Sequence, residues 1–309
     1  MRLDACTLCQ LNCVWCAIRK DKTLHTRGGG YLTAENFKKF LSAHPYIKEI
    51  EISNQGEVFL NPEIADIFRI AFESGVQITI LNGTNFNDVS DEALDALAKY
   101  QVHGMNVAID GASQETYSKY RRGGNFDKVI LNIKKLNERR KSHAKKSWLA
   151  AGIPPLPWVA WQYVILPTNC DISEIRRAKE MARELEINIV FFPDAWRGFI
   201  PPNREQVERE TGLDYSKTKD ARKILCRQMW NNPQINWDGR FYGCACNSFG
   251  EFGGNVFTDG LAACMKGKLF LGTKRMLMGG RVAQGSPCLR CGVYKEMAKT
   301  KDWIKKDDI

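Results

Sequence analysis

The chain has 309 residues, enough for one large domain or a large domain with a small one, and its 44% hydrophobic content supports a sizeable core. No apolar run is long enough to span a bilayer, and the opening MRLDACTLC lacks the apolar core of a signal peptide, so a cytoplasmic protein without a membrane partner is expected. The formal charge of +10 is diffuse; its densest run, KKLNERRKSHAKK at 134–146, reads as the solvated end of a helix, and no aromatic-interleaved basic motif points to nucleic acid.

A short strand at Arg2–Ala5 opens the chain. Between 46 and 192, short β-branched runs then alternate with amphipathic stretches. The predicted strands are IKEIEIS (47–53), VQITILN (76–82), GMNVAID (104–110), WVAWQYVIL (158–166) and INIVFF (187–192). Between them lie the helical segments TAENFKKFLSA, PEIADIFRIAFESG, SDEALDALAKY, NFDKVILNIKKLNERRK and ISEIRRAKEMAREL. Thr33 and Ser90 read as N-caps, and Pro62 fits a first helical turn. Six β/α repeats imply a parallel sheet with right-handed crossovers, either an open doubly wound sheet or a partial barrel. In both, the working face lies at the carboxyl ends of the strands. There the sequence places the first cysteines, Asn54–Glu57, Asn82–Asn85, Asp110-Gly111, Pro167–Cys170 and Pro193–Arg197.

Residues 193–225 lose this periodicity and read as a polar linker. From 226 to 309 the style changes: QINWDGRFYG signals a hairpin around Asp238-Gly239, a helix is expected near 271–279, and a lysine-rich tail reads as helical. The predicted organisation is therefore 1–192, a linker at 193–225, and a small cysteine-rich domain at 226–309.

Eleven cysteines fall in separate groups: four at 6–16, one at 170 and six at 226–291. In a reducing compartment such clusters signal metal or redox chemistry more often than disulfides. Cys9, Cys13 and Cys16 are spaced C-x3-C-x2-C, with Trp15 just before the last. Three thiolates on one loop can hold three corners of an iron–sulfur cube and leave the fourth iron open, whereas a structural zinc site would need a fourth ligand, which Cys6 could supply. Cys6 otherwise reads as a small apolar residue at a strand end.

This loop resembles the signature of the radical S-adenosylmethionine (SAM) superfamily, in which C-x3-C-x-aromatic-C follows the first strand of a partial (β/α)6 barrel. Two further segments carry the resemblance. Gly56-Glu57 is similar to the family's GEP element, with Val58 in place of the proline, and VAIDGASQETYSKYRRGGNFDKVILNI is similar to its fourth-strand segment. The resemblance covers residues 1 to about 192. It implies a [4Fe–4S] cluster on Cys9, Cys13 and Cys16, SAM contacts at Trp15, Gly56, Glu57, Asp110 and Arg121, and reductive cleavage of SAM to a 5′-deoxyadenosyl radical. Glu57 would meet the amino group of the methionine moiety and Arg121 its carboxylate.

Downstream, Cys226, Cys244 and the pair Cys288/Cys291 resemble the ligands of SPASM/Twitch auxiliary domains. With no cysteine after Cys291, the one-cluster Twitch form fits, and Cys244 is preferred to its neighbour Cys246. Zinc would suit the same thiols. An auxiliary [4Fe–4S] cluster implies substrate oxidation, as in the 2-deoxy-scyllo-inosamine dehydrogenase-like members, with a sugar or cyclitol as substrate. Alternatives are a peptide or protein maturase of the ribosomal-peptide or sulfatase type, an epimerase, and a non-catalytic iron–sulfur or zinc scaffold. Only eight residues precede Cys9, which weakens the expectation of a leader-binding domain at that end. The implied partners are a small molecule or peptide and an electron donor such as flavodoxin or ferredoxin. For substrate handling the candidates are Asp194 as a base, with Trp196, Arg197, Asn82, Asn85 and Gln162.

Overall fold

Alternating β-branched residues become strands wherever they recur between amphipathic helices, and seven of them join one sheet. The computed structural model describes residues 1–16, 27–144, 154–194, 197–217 and 224–309. The strands are β1 (Arg2–Leu3), β2 (Glu49–Glu51), β3 (Gln77–Thr84), β4 (Gly104–Ala108), β5 (Trp158–Ile165), β6 (Asn188–Pro193) and β7 (Gln234–Ile235). Their order is β6-β5-β4-β3-β2-β1-β7, and every pairing is parallel. The first six run in sequence order without a reversal. A doubly wound sheet needs a reversal, because right-handed crossovers in one direction place all helices on one face. The fold is therefore α/β with a partial barrel: helices outside, strands curving around an interior.

The outer helices are α1 (Ala34–Ala43), α2 (Ile64–Glu73), α3 (Asp91–Lys99), α4 (Gln114–Tyr120), α5 (Phe126–His143) and α6 (Ile172–Glu184). Thr33 and Ser90 cap α1 and α3 as expected, their hydroxyls accepting from the backbone N–H of Asn36 and Ala93. Each helix turns its apolar stripe inward: Phe37, Phe40 and Leu41 from α1, Ile64, Ile67 and Phe68 from α2, Val129, Ile133 and Leu136 from α5. Pro62 lies just ahead of α2, which begins at Ile64. The basic residues of the run at 134–146 face solvent along α5 except Arg140, which turns inward to the carbonyl of Pro155; residues 145 and 146 lie outside the described residues.

Two features differ from the sequence reading. The segment read as a linker holds a further helix, α7 (Arg204–Thr211), which packs on α6. Val207 is buried there, and Glu210 pairs with Arg176 and Lys179. One apolar residue in two turns is too weak a stripe to be seen in sequence. The cysteine-rich part is also not set apart from the sheet. The hairpin forms around Asp238-Gly239 as expected, with Gly239 at φ +87, but its first strand, β7, pairs with β1 in register Arg2↔Gln234 and Leu3↔Ile235. Beyond it come α8 (Lys268–Leu277) and α9 (Gly292–Thr300). Among the described residues, no helix is long and apolar enough to cross a membrane.

Where β1 ends, one buried amide fixes the chain. The Asn61 Nδ2 donates to the carbonyls of Ala5 (3.0 Å) and Leu32 (2.9 Å), and its Oδ1 accepts from the Glu63 N–H (2.9 Å). Asn61→Ala leaves the Leu32 carbonyl without this donor and the Ala5 carbonyl with the Leu32 N–H alone, and is expected to lower the unfolding free energy by about 1–3 kcal/mol. Urea unfolding of the variant measures it; a loss under about 0.5 kcal/mol removes Asn61 from this bracing role.

Candidate functional site

The loop after β1 has no repeating backbone pairing of its own and is held from outside. The Asn12 and Val14 N–H groups donate to the carbonyls of Arg122 (2.8 Å) and Tyr120 (3.0 Å), and the Glu57 N–H donates to the Leu8 carbonyl (2.7 Å). Trp15 stacks on Tyr120, their ring centroids 5.6 Å apart. Cys9, Cys13 and Cys16 are thus held within electrostatic reach of one another. Burial pushes the Cys9 thiol up to about 12 and raises Cys13 as well, so both keep their protons until a metal displaces them. Cys6 is fully buried away from this group, its sulfur against the Leu8 carbonyl, which fits the apolar reading.

Gly56 is the residue on which this loop rests. Its φ is +72, and a Cβ there would meet the Cys6 carbonyl oxygen at 2.4 Å and that of Leu8 at 2.7 Å. Glu57 follows Gly56 in the loop after β2 and reaches the carboxyl end of β3. Its carboxylate is 1% exposed and accepts from the Thr84 hydroxyl and from the N–H groups of Asn85 (2.6 Å) and Phe59 (3.3 Å). Burial raises its pKa, and these donors pull the other way. A side chain so engaged braces the loop after β2 against the end of β3.

Arg121 and Asp110, by contrast, form one unit at the mouth. Asp110 is fully buried: its Oδ1 accepts from the Val164 N–H (2.8 Å), while its Oδ2 takes the Nε and one terminal nitrogen of Arg121, both at 2.7 Å. The other terminal nitrogen of Arg121 lies 4.0 Å from the Cys13 sulfur. Asp110 therefore aims a fixed cation at the cysteine loop, and Arg121, not Arg122, is the residue so placed.

Asp194 is buried and paired with Arg197, Nε to Oδ2 at 2.5 Å; the Arg197 guanidinium in turn lies 4.2 Å from the Trp15 ring centroid. Asp194, the candidate base, thus anchors the cation that covers Trp15. Trp196 lies outside the described residues. Asn85 is nearer the cysteines than expected: its Nδ2 donates to the Gln10 side chain (3.1 Å) and sits 3.8 Å from the Cys9 sulfur. Asn82 donates to the Asn54 side chain (2.8 Å), and Gln162 sits over Gly83, whose missing Cβ makes room for it.

The second cysteine set is linked by proximity as well. Cys246 lies within electrostatic reach of Cys226, Cys244 and Cys291, and Cys288 within reach of Cys244 and Cys291, while Cys264 sits apart near Asp259 and Cys170 beside Asp171. Cys246, left over in the sequence reading, belongs to this group. The turn Pro287–Arg290, capped by Ser286, folds Cys288 and Cys291 together. Backbone amides of Cys246 and Asn247 point at the Cys244 sulfur, whose pKa burial raises to about 11. Among the described residues, no three His, Cys, Asp or Glu side chains converge on one point as ligands of a single ion. By donor type, a set of soft thiols suits iron–sulfur or zinc ligation.

Sequence reasoning missed Arg27, which is 1% exposed. It pairs with the buried Asp4 (2.9 Å) and donates to the carbonyls of Asn247 (2.6 Å) and Ala245 (3.3 Å), beside Cys244 and Cys246. A lone arginine before three glycines carries no signal of such a role.

Residues 6–154 match the family model of the Radical SAM superfamily. A curated relative, GTP 3′,8-cyclase of Chlorobaculum tepidum, is 24% identical over 136 residues; the match spans 44% of this chain and 40% of that protein's length. Among solved structures, Streptococcus suis SuiB bound to S-adenosylmethionine superposes with a TM-score of 0.65 at 15% identity, covering 95% of this chain and 70% of its own. SuiB bound to its precursor peptide SuiA gives 0.63 at 16% identity, covering 95% and 69%. At these identities the likeness is one of fold.

Two outcomes test this geometry. Gly56→Ala is expected to displace the Cys6–Leu8 backbone and abolish most metal binding at Cys9, Cys13 and Cys16; full iron content after anaerobic reconstitution would contradict it. Burial raises Asp4 from 3.8 to about 6, against the pull of Arg27. Between those values the folded chain holds more protons than the unfolded one, so the contribution of Asp4 is greatest below the lower value and falls as pH rises through the upper. The loss is on the order of 3 kcal/mol. The unfolding free energy of the native chain minus that of Asp4→Asn should therefore decrease from about pH 4 to about pH 6.5; an increase refutes the assignment.

Proposed function

We propose that this chain, which belongs to the radical SAM superfamily, is an enzyme that removes a hydrogen atom from its substrate and then oxidises the resulting radical. The observation that carries the reading is a loop of three thiols with the Arg121 cation held 4.0 Å from Cys13 by buried Asp110. Cys9, Cys13 and Cys16 would hold a [4Fe–4S] cluster; with SAM bound it supplies the 5′-deoxyadenosyl radical. The protein's own part is positional. Arg121 keeps one donor edge for the carboxylate of SAM's methionine, because Asp110 occupies the other. Trp15, between Tyr120 and Arg197, stiffens the loop and shields it from water. A donor of the flavodoxin or ferredoxin type provides the reducing electron.

Oxidation is supported by the second thiol set. Cys226, Cys244, Cys288 and Cys291 would hold an auxiliary cluster of the Twitch type, which supplies an acceptor for the second electron. Cys244 is preferred as ligand because two backbone amides already face its sulfur. The substrate is proposed to be a hydroxylated small molecule such as a sugar or cyclitol. Side-chain amides at the strand ends (Gln10, Asn54, Asn82, Asn85, Gln162) offer paired donors and acceptors suited to hydroxyl groups. A second reading, peptide modification, is favoured by the likeness to SuiB, solved with its precursor peptide.

Anaerobic reconstitution with dithionite and SAM should release 5′-deoxyadenosine; none would sink the proposal. About eight irons per native chain are expected, and about four in a Cys9/Cys13/Cys16 triple alanine variant. Zinc in place of the residual iron would refute the auxiliary cluster. Transfer of deuterium from labelled polyols or from labelled peptides into 5′-deoxyadenosine separates the two substrate readings.

A further inference from the structure

We propose that Arg27 is a positioning residue for the second thiol set, joining it to the barrel and, by its buried charge, favouring the reduced state of the cluster held there, while Asp4 opposes that effect. This rests on the reading of Cys226, Cys244, Cys288 and Cys291 as ligands of an auxiliary cluster.

The geometry converges on one peptide. Ala245, between Cys244 and Cys246, has a carbonyl that receives donors from Arg27 (3.3 Å), Asn54 (3.3 Å) and Gln55 (3.5 Å), and Arg27 also binds the next-but-one carbonyl, Asn247, at 2.6 Å. The guanidinium lies 4.6 Å from the centre of the Tyr242 ring, two residues before Cys244. From the other side, the Asn236 side chain and the Arg240 guanidinium donate to the Arg27 carbonyl. One residue is thus gripped by both parts of the chain, and what it grips is the backbone that carries the cysteines.

The electrostatics follow from where the counter-charge sits. Asp4 pairs with Arg27 on the barrel side, at the end of β1, and the remaining N–H edge of Arg27 points at the cysteine-bearing loop. The pair presents its positive end to the thiols. Reduction adds a negative charge to an iron–sulfur cluster, and its potential responds to net charge and hydrogen bonding around it. A buried cation with little water to screen it stabilises the reduced form.

A structural joint and an electrostatic one differ in sign. In the full-length Cys9/Cys13/Cys16 triple alanine background, the midpoint potential of the remaining cluster is measured by redox titration with paramagnetic resonance detection. Arg27→Met is expected to move it to more negative values by at least tenfold in the oxidised-to-reduced ratio, about 59 mV for one electron. Asp4→Asn, which leaves Arg27 uncompensated, moves it the opposite way, and Arg27→Lys stays nearer the parent. Shifts of the same sign in the Met and Asn variants, or no shift in either, overturn the proposal. If neither of these loads iron, Arg27→Lys decides: iron loading at the parental potential supports the charge role, and failure to load makes Arg27 a folding residue and overturns it. If the parent background itself carries no iron, the auxiliary-cluster reading has failed, an outcome separate from unmoved potentials in loaded variants.

Discussion

A buried charge pair, Asp4 with Arg27, is the constraint on which the two halves of this molecule depend. Both side chains are essentially removed from water, and Asp4's raised pKa shows that its partner only partly offsets the desolvation. Apolar residues of similar volume would fill the same space without that penalty. What the pair supplies is direction. Asp4 is also fixed by the Gln55 N–H (3.1 Å), so Arg27 has one orientation in which to reach Ala245 and Asn247. The end of the first strand, the loop after the second and the cysteine-bearing loop of the C-terminal part are thereby set by one guanidinium.

The same economy recurs at the three-cysteine loop. Its own sequence cannot hold it, because a run of thiols and short polar residues makes no core. The backbone beyond α4 supplies the hydrogen bonds, Gly56 supplies the space, and Tyr120 and Arg197 cover Trp15 from two sides. Carboxylates serve as internal anchors throughout: Glu57 for the end of β3, Asp110 for Arg121, Asp194 for Arg197. Each holds a neighbour in place, and the group left facing the mouth is a donor or a sulfur. Such a mouth suits an anionic, hydrogen-bonding ligand better than proton abstraction by the protein.

The barrel was legible because its physics is local. Period-two and helical patterns, with caps at Thr33 and Ser90, locate five strands and five helices within a few residues, and the cysteine spacing locates the site. What was hidden depends on long-range pairing. Two residues, Gln234 and Ile235, form a strand only because β1 offers an unpaired edge, and α7 is a helix mainly because α6 gives Glu210 its partners. Residue types alone name Glu57 and Asp194 as candidates, but the partners that occupy them come from positions far along the chain or from side chains whose direction the sequence does not reveal. Arg27 illustrates the limit: its contacts with the cysteine-bearing loop lie more than two hundred positions away, and an arginine in a sequence looks like solvent-exposed charge.

The pairing of β7 with β1 has a consequence for biogenesis. The first strand is made well before the neighbour that covers its outer edge, because the rest of the barrel lies between β1 and β7 in the chain. Until then the nascent barrel carries an open row of backbone donors and acceptors beside immature thiols, the kind of edge on which other chains add. Most of the second cysteine set follows β7 in the chain, so completion of the sheet and the gathering of those thiols belong to the same stage of folding.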